Sequence, residues 1–286
     1  MFYSALLRAV AIAVAVALTF GAVLLRERTS PSGEGFWTAL AAAPAGGVYL
    51  ADEQRRELIL LRDGQATVAG HLPQAIYRGL SAYEHTLLLA TEGGLYVSTD
   101  QGQSWRNAIP GRRFTAVAMG DGVGLAGAWA EGLWRSEDAG LTWQAAQVPR
   151  SDTEFEALQA APYLAATLLG VLESDDRGQT WHHLPGLPDR ATALYDGYVG
   201  DWRGDLYRVA DGLRVNRFKA GIWSITTGLV ATTDGIYPVG AFVGREVTRV
   251  VSTTEQSGFV FYAALARSGL YRSPDGGLSW SLVYQP

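Results

Sequence analysis

The chain has 286 residues, 48% of them hydrophobic, with 34 glycines, 9 tryptophans and a formal net charge of −5. That balance suits one well-packed globular body with many turns, and an acidic chain lacks the basic footprint that phosphate backbones demand, which disfavours nucleic acid, so no nucleic-acid partner is expected. No cysteine is present, so disulfides and an acylated lipoprotein anchor are excluded, and Lys219 is the only lysine beside 22 arginines.

Residues 9–25 form an uninterrupted apolar run, and Ala5-Leu6-Leu7 extends it past Arg8. As a helix, residues 5–25 would reach about 31 Å, enough to cross the hydrocarbon core of a bilayer, with Arg8 snorkelling to the headgroups. A cleaved signal sequence is the alternative. Its cleavage sites are poor: Phe20 stands where bulky residues are excluded ahead of Ala22, and a cut after Gly21 strands Val23-Leu24-Leu25. The expected organisation is an N-terminal membrane anchor or signal sequence over 1–28, a short linker over 29–35, and a folded domain over 36–286. Arg8 on one side and Arg26 and Arg28 on the other leave the positive-inside count almost tied.

Past the linker, Gly46-Gly47-Val48-Tyr49 and then Arg62-Asp63-Gly64 outline a first unit, legible as one because its elements recur along the chain. The pattern Ser-x-Asp-x-Gly-x-Thr/Ser-Trp then occurs as Ser98-Thr99-Asp100-Gln101-Gly102-Gln103-Ser104-Trp105, and again at 136–143 (SEDAGLTW), 174–181 (SDDRGQTW) and 273–280 (SPDGGLSW). The first three copies are spaced 38 residues apart, and the fourth starts 99 residues after the third. A fixed period of this size signals stacked supersecondary units, because one unit cannot bury its own apolar face.

The chemistry of the pattern is that of a turn between two strands. Gly supplies a positive φ, Asp100, Asp138, Asp176 and Asp275 accept hydrogen bonds within the turn, and Trp105, Trp143, Trp181 and Trp280 bury a large ring against a neighbouring unit. A Gly-apolar-apolar step precedes each copy (Gly94-Leu95-Tyr96, Gly132-Leu133-Trp134, Gly170-Val171-Leu172, Gly269-Leu270-Tyr271) and opens the strand before it. Between the third and fourth copies, Gly204-Asp205-Leu206-Tyr207 with Asp211-Gly212, and Gly235-Ile236-Tyr237 with Gly240 or Gly244, mark two degenerate units. The total is seven units of four short strands each; in the third they are 114–118, 123–128, 133–136 and 142–148.

These residues resemble the Asp-box, or bacterial neuraminidase repeat. The resemblance implies an all-β, seven-bladed β-propeller. The apolar run predicts one N-terminal transmembrane helix before it, and the unit boundaries predict closure by side-to-side packing of the first and last blades. Among families with this repeat, the photosystem II stability/assembly factors are the most similar. The resemblance implies a non-catalytic interaction propeller on the extracytoplasmic (periplasmic or lumenal) side. The apolar run departs from that family and adds the expectation of a membrane anchor, so the chain is expected to be an assembly factor or accessory subunit whose partner is an integral membrane protein or membrane complex. No cofactor and no metal are expected. The four box aspartates and tryptophans are expected to be structural.

The expected working surface carries the blade-to-blade connections and the turns between second and third strands. It would hold Arg112, Arg113, Arg150, Arg190, Arg203 and Arg267, with Glu92, Glu131, Asp201 and Asp234 among them. The alternative is a glycan-binding or sialidase-like glycoside hydrolase propeller. Sialidases carry an Arg-Ile-Pro motif, whereas Ile109-Pro110 here follows Ala108; Glu154 and Glu156 are the nearest candidate carboxylates. Trp129 and Trp202 could face a sugar, but core packing is the preferred reading. His182 and His183 fall on opposite faces of a strand and cannot grip one metal together.

Overall fold

The second strand of each unit is apolar at almost every position, as a strand covered on both faces must be. Thr86–Thr91 and Val123–Ala128 are buried along their whole lengths. The outermost strands, such as Gln65–His71 and Arg214–Arg217, are mostly exposed.

The computed structural model describes residues 39–285 except 152, 239, 243–244 and 266–267. The anchor and linker over 1–35 lie outside the described residues. Among the described residues, no helix is long and apolar enough to cross a membrane.

Seven antiparallel sheets follow one another in the chain, with strand order equal to sequence order in each. They span residues 40–71, 77–110, 114–145, 155–183, 191–217, 222–237 and 247–284, and are numbered here as blades 1 to 7. The first strands of successive blades lie against one another all the way round, that of blade 7 against that of blade 1. This is a seven-bladed β-propeller with the first strand of each blade innermost.

The third strands with an intact box begin at its leading glycine and end at its serine: Gly94–Ser98, Gly132–Ser136, Gly170–Ser174 and Gly269–Ser273. The box then closes on itself. In the second copy Ser136 Oγ donates to Asp138 Oδ1 (2.8 Å) and accepts from Gly140 N (2.9 Å), while Thr142 N and Oγ1 donate to the two oxygens of Asp138 at 2.8 and 2.6 Å. The same bonds recur around Asp100, Asp176 and Asp275.

Gly140 sits at φ +85°, and a Cβ there would come within 2.9 Å of Val97 in the preceding blade, so backbone conformation and close approach both require glycine. The indole N–H groups of Trp143, Trp181 and Trp280 donate to the box glycine carbonyl at 3.0, 3.0 and 2.8 Å. Their rings pack on the blade before.

In blade 1, Gly46 and Gly47 open the second strand, Val48–Asp52, which is followed by the third, Glu57–Arg62. The turn between these strands is closed by a side chain instead of glycine: Asp52 Oδ1 accepts from Gln54 N (2.9 Å) and Arg55 N (3.0 Å). Among the described residues, blade 6 has three strands where four were expected. Pro238 directly follows its third strand, Gly235–Tyr237, and has no N–H for a ladder; among the described residues a single bridge from Ala241 to Ile236 covers that edge. In blade 5 the degenerate box is held by Arg208, whose Nη2 lies 2.6 Å from Asp211, in place of the serine–aspartate pair.

Buried apolar side chains gather into seven clusters, each between two adjacent blades. Each fully buried Leu, Val or Phe contributes about 1.5–3 kcal/mol. The ring closes the same way: Leu40, Leu50 and Leu61 of blade 1 meet Val260, Tyr262 and Leu270 of blade 7. At the outer end of this seam Tyr284 Oη donates to Asp52 Oδ2 at 2.7 Å and accepts from Arg55 Nη1 at 2.7 Å. Among the described residues, closure is therefore by side-to-side packing, with no strand exchanged between blades 1 and 7.

Ser136→Ala leaves the buried Gly140 N–H without its acceptor and should cost about 1–3 kcal/mol in denaturant unfolding. Tyr284→Phe removes a bond to a carboxylate that is itself fully buried, and should cost about 1.5–3 kcal/mol while leaving the sheets intact by circular dichroism. The box aspartates set an acid limit. Hydrogen bonds from Ser104, Thr180 and Ser279 hold Asp100, Asp176 and Asp275 down at about 2, and for Asp138 burial, which raises its pKa, is outweighed by Thr142 and Ser136 to give about 2. A folded pKa below the unfolded one gives stability that is present above about pH 4 and lost as pH falls through about 2. Melting temperature followed from pH 5 to 2 should fall in that window, and less steeply in Asp100→Asn.

Candidate interaction face

The box turns and the hairpins between first and second strands share one face. Gln101 N donates to His85 O at 3.0 Å, and Arg177 Nη2 to Asp121 O at 3.0 Å, tying the two sets of loops together. The opposite face carries the blade-to-blade connections and the turns between second and third strands, which interlock through Glu92 N to Ile76 O (3.1 Å), Trp129 N to Arg113 O (2.8 Å) and Thr233 N to Gly221 O (3.3 Å).

On that second face, blades 2 and 3 assemble a compact array. The connection between them is only Gly111-Arg112-Arg113, and Gly111, at φ +75°, donates to Gly93 O at 2.9 Å. The turn holding Glu92 is capped by Thr91, whose Oγ1 donates to Gly94 O (2.8 Å) and accepts from Gly93 N (3.2 Å). Arg78 is the extra residue of a bulge in the innermost strand of blade 2, between Tyr77 and Gly79.

These devices place Glu92 between two guanidiniums. Its Oε1 accepts from Arg78 Nε at 2.6 Å and its Oε2 lies 2.9 Å from Arg113 Nε. Arg113 lies flat over Trp129, 3.6 Å from the ring centroid. Arg112 pairs with Glu131 and stands 5.0 Å from the centre of Trp134. Such stacks contribute about 0.5–1 kcal/mol each at exposed sites. Glu53, whose pKa is raised by burial against the opposing pull of Tyr77 N–H and Arg78, adds a third carboxylate beside Arg78. The array is close to charge-neutral: it offers planar guanidinium–indole surfaces, not a field of positive charge.

The other expected arginines are spread out. Arg190 reaches Glu156 at 4.0 Å between blades 4 and 5, Arg150 is exposed in the connection after blade 3, and Arg203 lies 5.0 Å over Trp202 in blade 5. Arg267 lies outside the described residues. Arg78 and Trp134 were not among the candidates: a bulge residue is invisible in an apolar strand pattern, and Trp134 reads as part of the step ahead of a box.

Trp129 is half-buried beneath its arginine. Trp202 is 46% exposed, which overturns the core reading for that residue. It sits at the tip of a tight turn in which Asp201 Oδ1 accepts from Arg203 N (2.9 Å) and Asp205 N (2.8 Å). His182 and His183 are exposed on the outermost strand of blade 4, with His182 Nε2 3.9 Å from Glu173. Among the described residues, no three or more His, Asp or Glu side chains are grouped so as to hold a metal ion.

No curated protein matches the sequence. Among solved structures, the extracellular domain of a one-component system from B. thetaiotaomicron is similar with a TM-score of 0.64 at 12% identity, covering 85% of this chain and 39% of that one. An ancestral GH74 enzyme is similar with a TM-score of 0.53 at 16% identity, over 85% of this chain and 37% of the enzyme. YCF48 from Cyanidioschyzon merolae is similar with a TM-score of 0.48 at 13% identity, over 87% of this chain and 84% of YCF48. This chain thus spans well under half the length of the first two, and at such identities the likeness shows the fold alone. The BNR/Asp-box repeat family matches residues 96–107 and 172–183, the turns of blades 2 and 4. The chain carries BNR/Asp-box repeats in a seven-bladed β-propeller.

Proposed function

We propose that this protein is a non-catalytic interaction module that docks a protein partner on the face opposite its box turns, held at a membrane by residues 5–25 with the propeller on the extracytoplasmic side. The observation that carries this reading is the array of Arg112, Arg113, Trp129 and Trp134, fixed in place by Glu92 and Glu131. Rigid indole and guanidinium groups are the side chains that most often dominate protein interfaces, because they bury large area at small entropic cost. Each of these two carboxylates is engaged by a guanidinium, which suits positioning better than acid–base work on a substrate. The apolar run at 5–25 supports a partner that is itself an integral membrane protein or complex, for which the propeller is an assembly factor or accessory subunit.

A second reading rests on Trp202, an exposed indole with Arg203 above it, which is a surface on which a sugar ring could stack. Purification of the full chain from membranes in mild detergent, through a C-terminal tag, separates the two. The docking reading expects stoichiometric membrane subunits to co-elute, and Arg113→Ala with Trp129→Ala to lower their yield at least tenfold without moving the thermal transition by more than a few degrees. Undiminished co-elution from that double variant defeats it. Retention on immobilised glycans that is abolished by Trp202→Ala, with no protein co-eluting, establishes the second reading instead.

A further inference from the structure

An intact box turn seats on a matched pair of residues in the blade before it. In blade 2, Leu88 pairs with Val97 across the second and third strands, and a Cβ on Gly140 of the next box would meet them at 3.4 and 2.9 Å. In blade 3, Leu125 pairs with Arg135, and a Cβ on Gly178 would meet them at 2.9 and 3.6 Å. The indole of each box lies beside its glycine, bonded to the glycine carbonyl. Blade 4 presents the same seat, Leu164 paired with Glu173. The turn that should cover this seat belongs to blade 5, where the box has decayed.

The third strand of blade 5 ends on Arg208, where the boxed strands end on serine. Its fourth strand begins at Arg214, six residues later, whereas His182 follows Ser174 by eight. The residue just before the fourth strand is Trp181 in blade 4 and Leu213 in blade 5, and Leu213 is 56% exposed instead of packed on its neighbour. A Cβ on Gly212 would meet Gly186 O at 3.2 Å, farther out on blade 4 than Leu164 and Glu173. The shortened turn therefore rests on the rim of blade 4 and leaves an open cleft of about 380 Å³ between the two blades, with Leu164 at its floor and Glu173 in its wall. That volume is at the small end of the range for sites that take small molecules.

The remaining wall comes from blade 5: Val209 and Ala210 of the shortened turn, and the half-exposed ring of Tyr198. The lining carries two carboxylates, Glu173 and Asp196, and one guanidinium, Arg208, which Asp211 already engages at 2.6 Å. Among the described residues no arginine pairs with Glu173, whose neighbour is the exposed His182 at 3.9 Å. The cleft is thus apolar, flat-sided and acidic, and it occupies the place where the two preceding seams hold a box glycine and its indole. The geometry points to a binding site for a small aromatic amine. Its ring would pack against Tyr198, Val209 and Ala210 over the floor at Leu164, and its ammonium would meet Glu173. The site opens on the face of the box turns, so it does not depend on the docking reading for the opposite face.

Calorimetric titration of the full chain in detergent with tryptamine, an indole that carries an alkylammonium at neutral pH, tests this. The wild type should bind it saturably. Glu173→Gln should weaken binding about tenfold, the worth of a hydrogen bond to a charged group. Ala210→Trp, which returns an indole to the cleft from an exposed position, should abolish it. No saturable binding by the wild type, or undiminished affinity in Ala210→Trp, overturns the site. Indole-3-acetate binding as tightly as tryptamine overturns the requirement for an amine, and n-butylamine binding as tightly overturns the requirement for a ring. Should Ala210→Trp not fold, Tyr198→Ala decides: a clear loss of affinity supports the site, and an unchanged one refutes it.

Discussion

Each blade of this protein has two apolar faces and can cover neither of them alone, and that constraint organises the rest. Every buried cluster lies between two blades, so stability is shared around a ring and no blade is dispensable. The seam of blades 7 and 1 joins the two ends of the described chain without a shared strand. It relies on packing around Tyr262 and Leu50 and on the bond from Tyr284 to Asp52.

The box turns serve the same constraint at the rim. Their serine and aspartate satisfy amide groups that would otherwise compete for water, which lets the turn lie flat on the preceding blade. Arginines then clamp neighbouring blades through these turns: Arg106 Nη2 donates to Gly140 O (2.8 Å) and Leu141 O (2.9 Å), and Arg135 Nε to Arg177 O (2.6 Å). Blade 5, where the box has decayed, replaces these bonds with a surface pair between Arg208 and Asp211, a contact worth little in water. Degenerate boxes thus stand in blades 5 and 6, and among the described residues blade 6 shows no outer strand.

Packing consumes one face of every loop and leaves the other for recognition. On the face opposite the boxes, Glu92 and Glu131 orient arginines whose flat sides rest on indoles, so the array is held before any partner arrives. Preorganisation of this kind lowers the entropic cost of binding. The same carboxylates cancel most of the charge, so shape and stacking, more than long-range attraction, are what this face offers.

The amino-acid sequence by itself determined the repeat, the number of blades and the role of the box residues. The reason is that the box is local: Ser136, Asp138, Gly140 and Thr142 bond one another within a few residues, and the turn forms wherever that spacing occurs. The degenerate units were legible from their leading glycines, although in blade 1 the side chain of Asp52 does what glycine does elsewhere. Which charges meet was decided only by the tertiary structure. Arg113 finds Glu92 and Trp129 because the turns of two blades converge, and nothing in the order of residues distinguishes it from Arg150 or Arg203. The exposure of Trp202 is of the same kind, for it depends on what surrounds the turn in the folded ring and not on the neighbours of Trp202 in the sequence.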